Sequence, residues 1–408
     1  VNGRSGRVDA LVMPAARPRS TPLVLLALLS LLLGLGLGVH HPATAATAVP
    51  SVSVVGDSLR DASGRPVRLL GVNRAGTEYA CAQGWGTFDG PTDATAVSAI
   101  AAWHVNAVRV PLNESCWLGI NGVSPTYGGA AYRDAITAWV GRLHAAGLLA
   151  VLDLHWNAPG TTLATGQQVM ADADHAPAFW TSVATAFHND PGVVFDLYNE
   201  PHDISWACWR DGCTTTGGWR AAGMQTLVDA VRATGARQPV IADGNQWGGD
   251  LSSWLSHQPV DPAGQLVAGL HEYSFGRCTT SACWDTEIAP VAALVPVVTG
   301  ELGEDDCGGS FVTAFLQWAD AHGLSYLGWT WNTWDCKTGP ALISAWDGTP
   351  TAFGAALQSH LAALATVPVG ATPATASPTP GAGATCTGRS RHCRLLSRRT
   401  RTRPPLSR

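Results

Sequence analysis

The residues best suited to chemistry are two carboxylates about a hundred positions apart, each delivered by a short apolar run. Asn199-Glu200-Pro201 ends the run Val193-Val194-Phe195-Asp196-Leu197-Tyr198, and Glu301 follows Val295-Pro296-Val297-Val298-Thr299-Gly300. Two strands that release lone acids at one mouth supply the pair that glycosidic bond cleavage requires. One acid protonates the leaving oxygen, and the other attacks or stabilises the sugar carbon. The plainer reading of Glu200, a helix-capping or salt-bridged carboxylate, fits poorly with its flanking Asn and Pro. Glu304, Asp305 and Asp306 lie close to Glu301 in sequence, but they fall in a Gly-rich loop with Cys307 rather than at the end of the apolar run.

Such a pair must be held by a scaffold, and the chain supplies one by repetition. Between Val67 and Leu364, short β-branched runs alternate eight times with longer amphipathic segments. The expected strands are Val67 to Asn73, Ala107 to Pro111, Leu148 to His155, Val193 to Glu200, Pro239 to Asn245, Leu266 to His271, Val295 to Glu301 and Ser325 to Trp331. Helices are expected at Ala131 to Ala146, with Ala135, Ala138, Trp139 and Leu143 on one face, and at Trp219 to Ala233. Eight strand-helix units over about 300 residues predict an α/β fold, a (β/α)8 TIM barrel with its active site where the strands end. A doubly wound open sheet is the competitor, but Gly71-Val72-Asn73-Arg74 stands where its phosphate-binding glycine turn would be.

Composition narrows the partners. Apolar residues make up 46% of the chain, charged residues 13%, and there are 17 Trp, more than a core alone would need. The formal charge of −5 hides eight arginines in the tail and a net three positive charges in the first 20 residues, so the middle carries about −16. An acidic body disfavours nucleic acid and anionic membranes and suits a neutral substrate.

The flanks read separately. Leu23 to Val39 follows arginines and precedes small residues ending at Ala46-Thr47-Ala48, which predicts a leader over 1–48 with a secretory signal, Met13 being a candidate start. An uncleaved anchor is the competing reading. The catalytic domain is expected over 49–365, a Pro/Thr/Ala-rich linker over 366–385 and a basic tail over 386–408. That tail has no aromatic residue, so it is either a frameshifted remnant of a binding module or a genuine basic extension. Ten cysteines suit an oxidising, extracellular compartment. Cys208 with Cys213 and Cys278 with Cys283 are candidate local bridges, and Cys81 with Cys116 and Cys307 with Cys336 candidate longer ones, although sequence does not fix the pairing. Zinc is the rival, but two-to-four-residue cysteine spacing and an accompanying His cluster are both missing.

Taken together, the polar residues at the strand ends resemble glycoside hydrolase family five, the cellulase-type retaining enzymes, over about Val67 to Leu364. The resemblance rests on Phe195-Asp196-Leu197-Tyr198-Asn199-Glu200-Pro201-His202 and Thr299-Gly300-Glu301. It extends to Arg109 in Asn106-Ala107-Val108-Arg109-Val110-Pro111, His155 in Asp153-Leu154-His155-Trp156, His271 and Tyr273 in His271-Glu272-Tyr273-Ser274, and Trp331 in Gly328-Trp329-Thr330-Trp331-Asn332. It implies Glu200 as acid/base, its proton retained partly through the charge of Glu301, and Glu301 as nucleophile kept ionised by Arg109 and Tyr273. It further implies that Asn199 bonds the hydroxyl beside the reacting carbon, that His155 and His271 orient substrate and acid, and that Trp331 floors the cleavage subsite. Trp156, Trp247 and Trp334, and less specifically Trp206, Trp209 and Trp284, are loop indoles that could flank it. Trp103, Trp139, Trp180 and Trp318 sit on expected helices and suit packing instead.

The resulting expectation is a secreted, monomeric endo-β-1,4-glucanase that retains configuration. It acts on β-glucan polysaccharide with no cofactor or metal, and has no nucleic-acid partner and no stable membrane association after signal cleavage. β-Mannanase, xyloglucan or mixed-linkage activity and transglycosylation are the enzymatic alternatives. A barrel that binds carbohydrate without catalysis is the non-enzymatic one, and the presence of both carboxylates argues against it.

Overall fold

The computed structural model describes residues 49–306, 308–335 and 339–366. The expected leader, the linker beyond Thr366, the basic tail and the Cys307 with Cys336 pairing lie outside the described residues. Three short strands, β1 (Ser53–Val55), β2 (Ser58–Arg60) and β3 (Pro66–Val67), form a small antiparallel sheet. Eight parallel strands then close into a barrel: β4 (Leu70–Asn73), β5 (Ala107–Asn113), β6 (Leu149–Trp156), β7 (Val193–Asp196), β8 (Val240–Asp243), β9 (Leu266–Tyr273), β10 (Val297–Gly303) and β11 (Ser325–Gly328), the last pairing with both β10 and β4. Helices fill the connections, as parallel strands require crossovers. Among them are α1 (Ala94–Ala101), α2 (Glu114–Leu118), α3 (Ala130–Ala145) and α4 (Ala176–Phe187). Among the described residues, no helix is long and apolar enough to cross a membrane.

The barrel interior is filled from below. Ala107, Val151, Val194, Ile241, Val267, Val298 and Leu327, one from each of seven strands, cluster with Leu69, which precedes β4. Val52 and Leu59 at the small sheet join the same cluster, so those strands plug the lower end. Burial of each such side chain contributes about 1.5–3 kcal/mol. A second cluster lies between the strands and the helices, where Trp139, Trp180 and Phe179 are fully buried.

The element boundaries depart from expectation in ways that matter for the site. Val67 belongs to the small sheet and not to the barrel, because Leu59 pairs with it antiparallel. Strand β7 stops at Asp196, four residues before Glu200, although the bonds Leu197 N to Ile241 O (2.9 Å) and Asn199 N to Leu154 O (3.1 Å) continue the ladder singly. Strand β10 runs on to Gly303, so Glu301 lies within it. Strand β11 ends at Gly328, leaving Trp331 in the following loop. The helix expected from Trp219 begins only at Met224, because residues 214–221 form bridges with one another and with Asp172. In α3 the buried face is Tyr132, Ile136, Trp139, Val140 and Leu143, while Ala138 is exposed and Ala135 half-buried.

Disulfides join Cys81 to Cys116, Cys208 to Cys213 and Cys278 to Cys283. The first ties the loop after β4 to α2, and the other two close local loops.

Candidate active site

Side chains two residues apart on a strand share a face. Each apolar plug residue is therefore followed, two positions up, by another inward-facing residue. Ala107 leads to Arg109, Val151 to Asp153, Val194 to Asp196, and Ile241 to Asp243. All four polar residues are buried. Room for this layer comes partly from Gly269 on β9, where a Cβ would overlap Asp243 Oδ1.

Glu301 breaks that parity. It lies three residues beyond the inward-facing Val298, an odd spacing that would aim it outward on a regular strand. The pairing of β10 with β9 shifts between Thr299 and Glu301, and this bulge re-aims the carboxylate into the barrel.

Arg109 is the hub. Its Nη1 donates to Glu301 Oε1 (2.7 Å) and Asn73 Oδ1 (3.1 Å), its Nε to Asp196 Oδ2 (2.8 Å), and its Nη2 to Asn199 Oδ1 (3.0 Å). Asp153 Oδ2 lies 3.1 Å from Nη2. Three carboxylates thus share one guanidinium, which only a planar multi-donor cation can serve. One positive charge cannot balance three negative ones, and burial pushes Asp153 up to about 7 and Asp196 up to about 6 despite the arginine. Asp243 is held well above the ordinary carboxylate range by burial and by Asp196.

Glu301 accepts a second hydrogen bond, from the Tyr273 hydroxyl to Oε2 (2.5 Å). Glu200 faces it from the turn after β7, where its backbone adopts φ +51°, an uncommon conformation for a non-glycine residue. Gln167 Nε2 braces that turn by donating to the carbonyls of Asn199 (3.2 Å) and Glu200 (3.0 Å). His271 Nδ1 stands 3.0 Å from Glu200 Oε1 and 3.6 Å from Glu301 Oε2, and a carboxylate oxygen from each acid lies within 4.8 Å of the other. Burial raises the Glu200 carboxyl above its ordinary value. Glu301 does not figure among the largest causes; His155, Arg109, a hydrogen bond from Gln167 and His202 pull the other way. Burial also lowers His155 and His271 to about 4, so both imidazoles are neutral near pH 7. Two carboxylates and an imidazole so close could in principle hold a cation, but both Glu301 oxygens are already engaged by Arg109 and Tyr273.

Both acids open into one cavity of about 620 Å³, lined also by His155, His271, Tyr273 and Trp329. Exposed Trp247 and Phe275 (51% and 60%) stand at its rim. His155 is fixed through Nδ1 to Asp153 (2.6 Å) and stacks on Trp329 with centroids 5.4 Å apart. Trp156 and Trp334 each pack on Tyr79, at 6.3 and 6.1 Å, and Trp334 also meets Trp329 at 6.4 Å, extending an aromatic surface beside the cavity.

Trp331 is not in this cavity. It is 1% exposed and packs edge-on against Trp103 (4.9 Å), while Trp329, two residues earlier, lines the site. Trp209 and Trp284 are buried, and Trp206 packs on Trp209 and His257, so these three do not line the cavity either. Asn199 is buried between Arg109 and Gln167. Sequence reasoning missed Asp153, Asp196, Asp243, Gln167, Trp329 and Phe275. The three aspartates did carry a signal, each being an acid inside or ending an otherwise apolar strand.

The family model described as "Cellulase (glycosyl hydrolase family 5)" matches residues 60–335. A mannan endo-1,4-beta-mannosidase of Streptomyces lividans is 24% identical over 326 residues, covering 77% of this chain and 75% of that protein. Endoglucanase 1 of Robillarda sp. is 27% identical over 214 residues, 45% of this chain and 53% of that protein. Among solved structures, a β-glucanase of Saccharophagus degradans in complex with cellotetraose superposes with TM-score 0.60 at 21% identity, covering 78% of this chain and 94% of that one. At that identity the likeness speaks to the fold.

Proposed function

This chain belongs to glycosyl hydrolase family 5, a family of endoglucanases and mannanases, and from that premise we propose that it is a secreted endo-β-1,4-glucanase acting with net retention. The observation that carries the reading is the pair Glu200 and Glu301, which line one cavity with carboxylate oxygens within 4.8 Å. Retaining enzymes place their carboxyl groups about 5–5.5 Å apart, and inverting ones about 6.5–9.5 Å.

In the proposed first step, Glu301 attacks the anomeric carbon while Glu200, whose carboxyl burial raises above its ordinary value, delivers its proton to the departing oxygen. Arg109 and Tyr273 each hold one Glu301 oxygen, which fixes the plane of the nucleophile. A neutral His271 with its proton on Nδ1 donates to Glu200 Oε1, leaving the acidic proton on Oε2 for the substrate. Asp243, its carboxyl held well above the ordinary range by burial and its Oδ2 3.3 Å from His271 Nε2, favours that tautomer. In the second step Glu200, now a carboxylate, removes a proton from water, which attacks the glycosyl ester and frees Glu301.

Support for endo action comes from aromatic residues carried by both arcs of the barrel between β7 and β10, Trp247 and Phe275 after β8 and β9, and Trp329, Trp334 and Trp156 after β11 and at the end of β6. Support for glucan over mannan comes from the Robillarda relative, which is named as an endoglucanase. Mannan is the second reading, favoured by the Streptomyces relative. The proposed organisation keeps the leader over 1–48, the catalytic domain over 49–365 and the linker after it. Initial rates on carboxymethyl cellulose, barley glucan, xyloglucan and mannan test the assignment, with NMR of the first-formed anomer testing its stereochemistry. Preference for cellulose and barley glucan with β-anomer formed first is expected; preference for mannan overturns the substrate, and α-anomer first overturns the mechanism.

A further inference from the structure

An indole left 51% exposed gains only part of what full burial would give, yet the turn after β8 is built tightly around one, Trp247 at the cavity rim. Gln246 and Trp247 adopt φ +52° and +62°, a left-handed backbone that costs energy for residues other than glycine. Gly248 follows at φ +73°, and a Cβ there would come within 2.9 Å of the His271 ring. Bridges between Gly244 and Gly248 and between Asn245 and Asp250 close the turn. Trp247 N donates to Pro201 O (3.0 Å), and His271 N donates to Gly248 O (3.2 Å). The turn is thus fastened to the two segments that carry Glu200 and its imidazole partner.

His202 completes the connection. Its ring lies face to face with Trp247, centroids 3.6 Å apart and planes 9° from parallel. Its Nδ1 stands 2.9 Å from the carbonyl oxygen of Glu200, and because a carbonyl only accepts, Nδ1 carries the proton. His202 is buried, and its own N–H donates to Val169 O (3.0 Å), so the ring is held from behind. The stack covers one face of the indole and leaves the other to account for the exposure of a residue that lines the cavity. The electron-rich face of an indole attracts the C–H groups of a sugar ring. The ties of this platform run to Glu200, and an acid must lie beside the oxygen it protonates, so the sugar received there is the departing one.

On the retaining glucanase reading above, we propose that His202 is a positioning residue for leaving-group departure: its ring face backs Trp247 as the platform for the departing glucosyl unit, and its Nδ1–H holds the carbonyl of Glu200. One side chain therefore supports both sugar recognition and proton delivery. Gln167 is a second donor to the same carbonyl (3.0 Å), so loss of the His202 bond loosens the Glu200 turn without releasing it. The two duties use different parts of the imidazole, face and edge, and substitution separates them.

Steady-state constants of the full chain on cellotetraose and on β-cellobiosyl fluoride, whose leaving group places no sugar on Trp247, read the two duties. His202→Phe keeps a flat ring and loses the N–H, so kcat on cellotetraose should fall about tenfold with KM within about twofold. His202→Asn keeps a donor near the place of Nδ1 and loses the ring, so KM should rise about fivefold with kcat within about twofold, and Trp247→Ala should raise KM to a similar extent. In both His202 variants the loss of kcat/KM on cellotetraose should exceed that on the fluoride by about threefold or more. Thermal melts accompany the kinetics, because a merely structural histidine would lower Tm and kcat/KM on both substrates in parallel. That parallel loss, a Phe variant that changes KM alone, an Asn variant that changes kcat alone, or no change in either constant would overturn the role. A wild-type chain that turns over neither substrate would instead refute the glucanase reading, and this role with it.

Discussion

Replacing Arg109 with Met removes the guanidinium that faces Asp153, Asp196 and Glu301 while keeping much of the side-chain volume. Removing one partner from a buried ion pair costs about 3–5 kcal/mol, because the remaining charge is stranded. The deficit should depend on pH, and its sign follows from the aspartates. Burial already puts Asp153 at about 7 and Asp196 at about 6 in the folded protein, well above the ordinary carboxylate value. Between pH 4 and 7 the native state therefore binds protons that the unfolded chain has released, and their contribution to stability declines as pH rises. Arg109 limits that decline by favouring the ionised forms. Without it both groups move further up and the decline steepens, so the Met variant loses most at neutral pH and recovers when acidified. Urea unfolding should show a loss of about 3–5 kcal/mol at pH 7, with about 1–2 kcal/mol regained at pH 5 for roughly one extra bound proton. Arg109→Lys should fall between, since an ammonium cannot reproduce the five-donor fork. A deficit below about 1 kcal/mol at pH 7, or one unchanged between pH 5 and 7, would refute the buried-charge argument.

The remaining predictions are more local. Glu301→Ala should abolish turnover but retain glucan binding, with azide or formate restoring activity and giving the inverted product. Glu200→Ala should spare the first step for substrates with good leaving groups and slow the second; because burial raises Glu200 and its proton is needed, the wild-type alkaline limb of kcat/KM should vanish in this variant. Trp329→Ala should cost about 1–2 kcal/mol of ligand contact, read as a fall in kcat/KM on cello-oligosaccharides. Trp331→Ala should instead cost about 3–5 kcal/mol of stability, measured by denaturation. Removing the Cys81–Cys116 bridge, whose residues are 35 apart, should destabilise the fold by about 3–4 kcal/mol in chemical unfolding.

Much of the scaffold was legible because barrel strands announce themselves as apolar runs, and β5, β6 and β9 began within a residue of where the pattern placed them. Boundaries were not legible where tertiary pairing overrode propensity. Val67 reads as part of a barrel strand, yet Leu59 captures it in the small sheet. Glu301 reads as the end of its strand, but the bulge that turns it inward has no signature beyond Gly300. Glu200, Arg109, Tyr273 and both histidines are brought together around one cavity, since strand ends of a closed barrel converge whatever their separation in sequence. The platform indole shows the limit of motif reading. In Trp329-Thr330-Trp331 the motif points to Trp331, yet the loop path after Gly328 turns Trp329 toward the cavity and Trp331 toward Trp103. Partners such as Asp153 and Asp196 were visible as acids in apolar strands. Their dependence on a shared arginine is a property of register, which no linear spacing reveals.

The most direct measurement is to trap the intermediate. Incubation with a dinitrophenyl 2-deoxy-2-fluoro-cellobioside, in which fluorine slows the second step more than the leaving group slows the first, should inactivate the enzyme with release of one dinitrophenolate per chain. Peptide mapping should then find the sugar on Glu301. A label on Glu304, Asp305 or Asp306, or steady turnover to the inverted sugar with no label at all, would contradict a double displacement across Glu200 and Glu301.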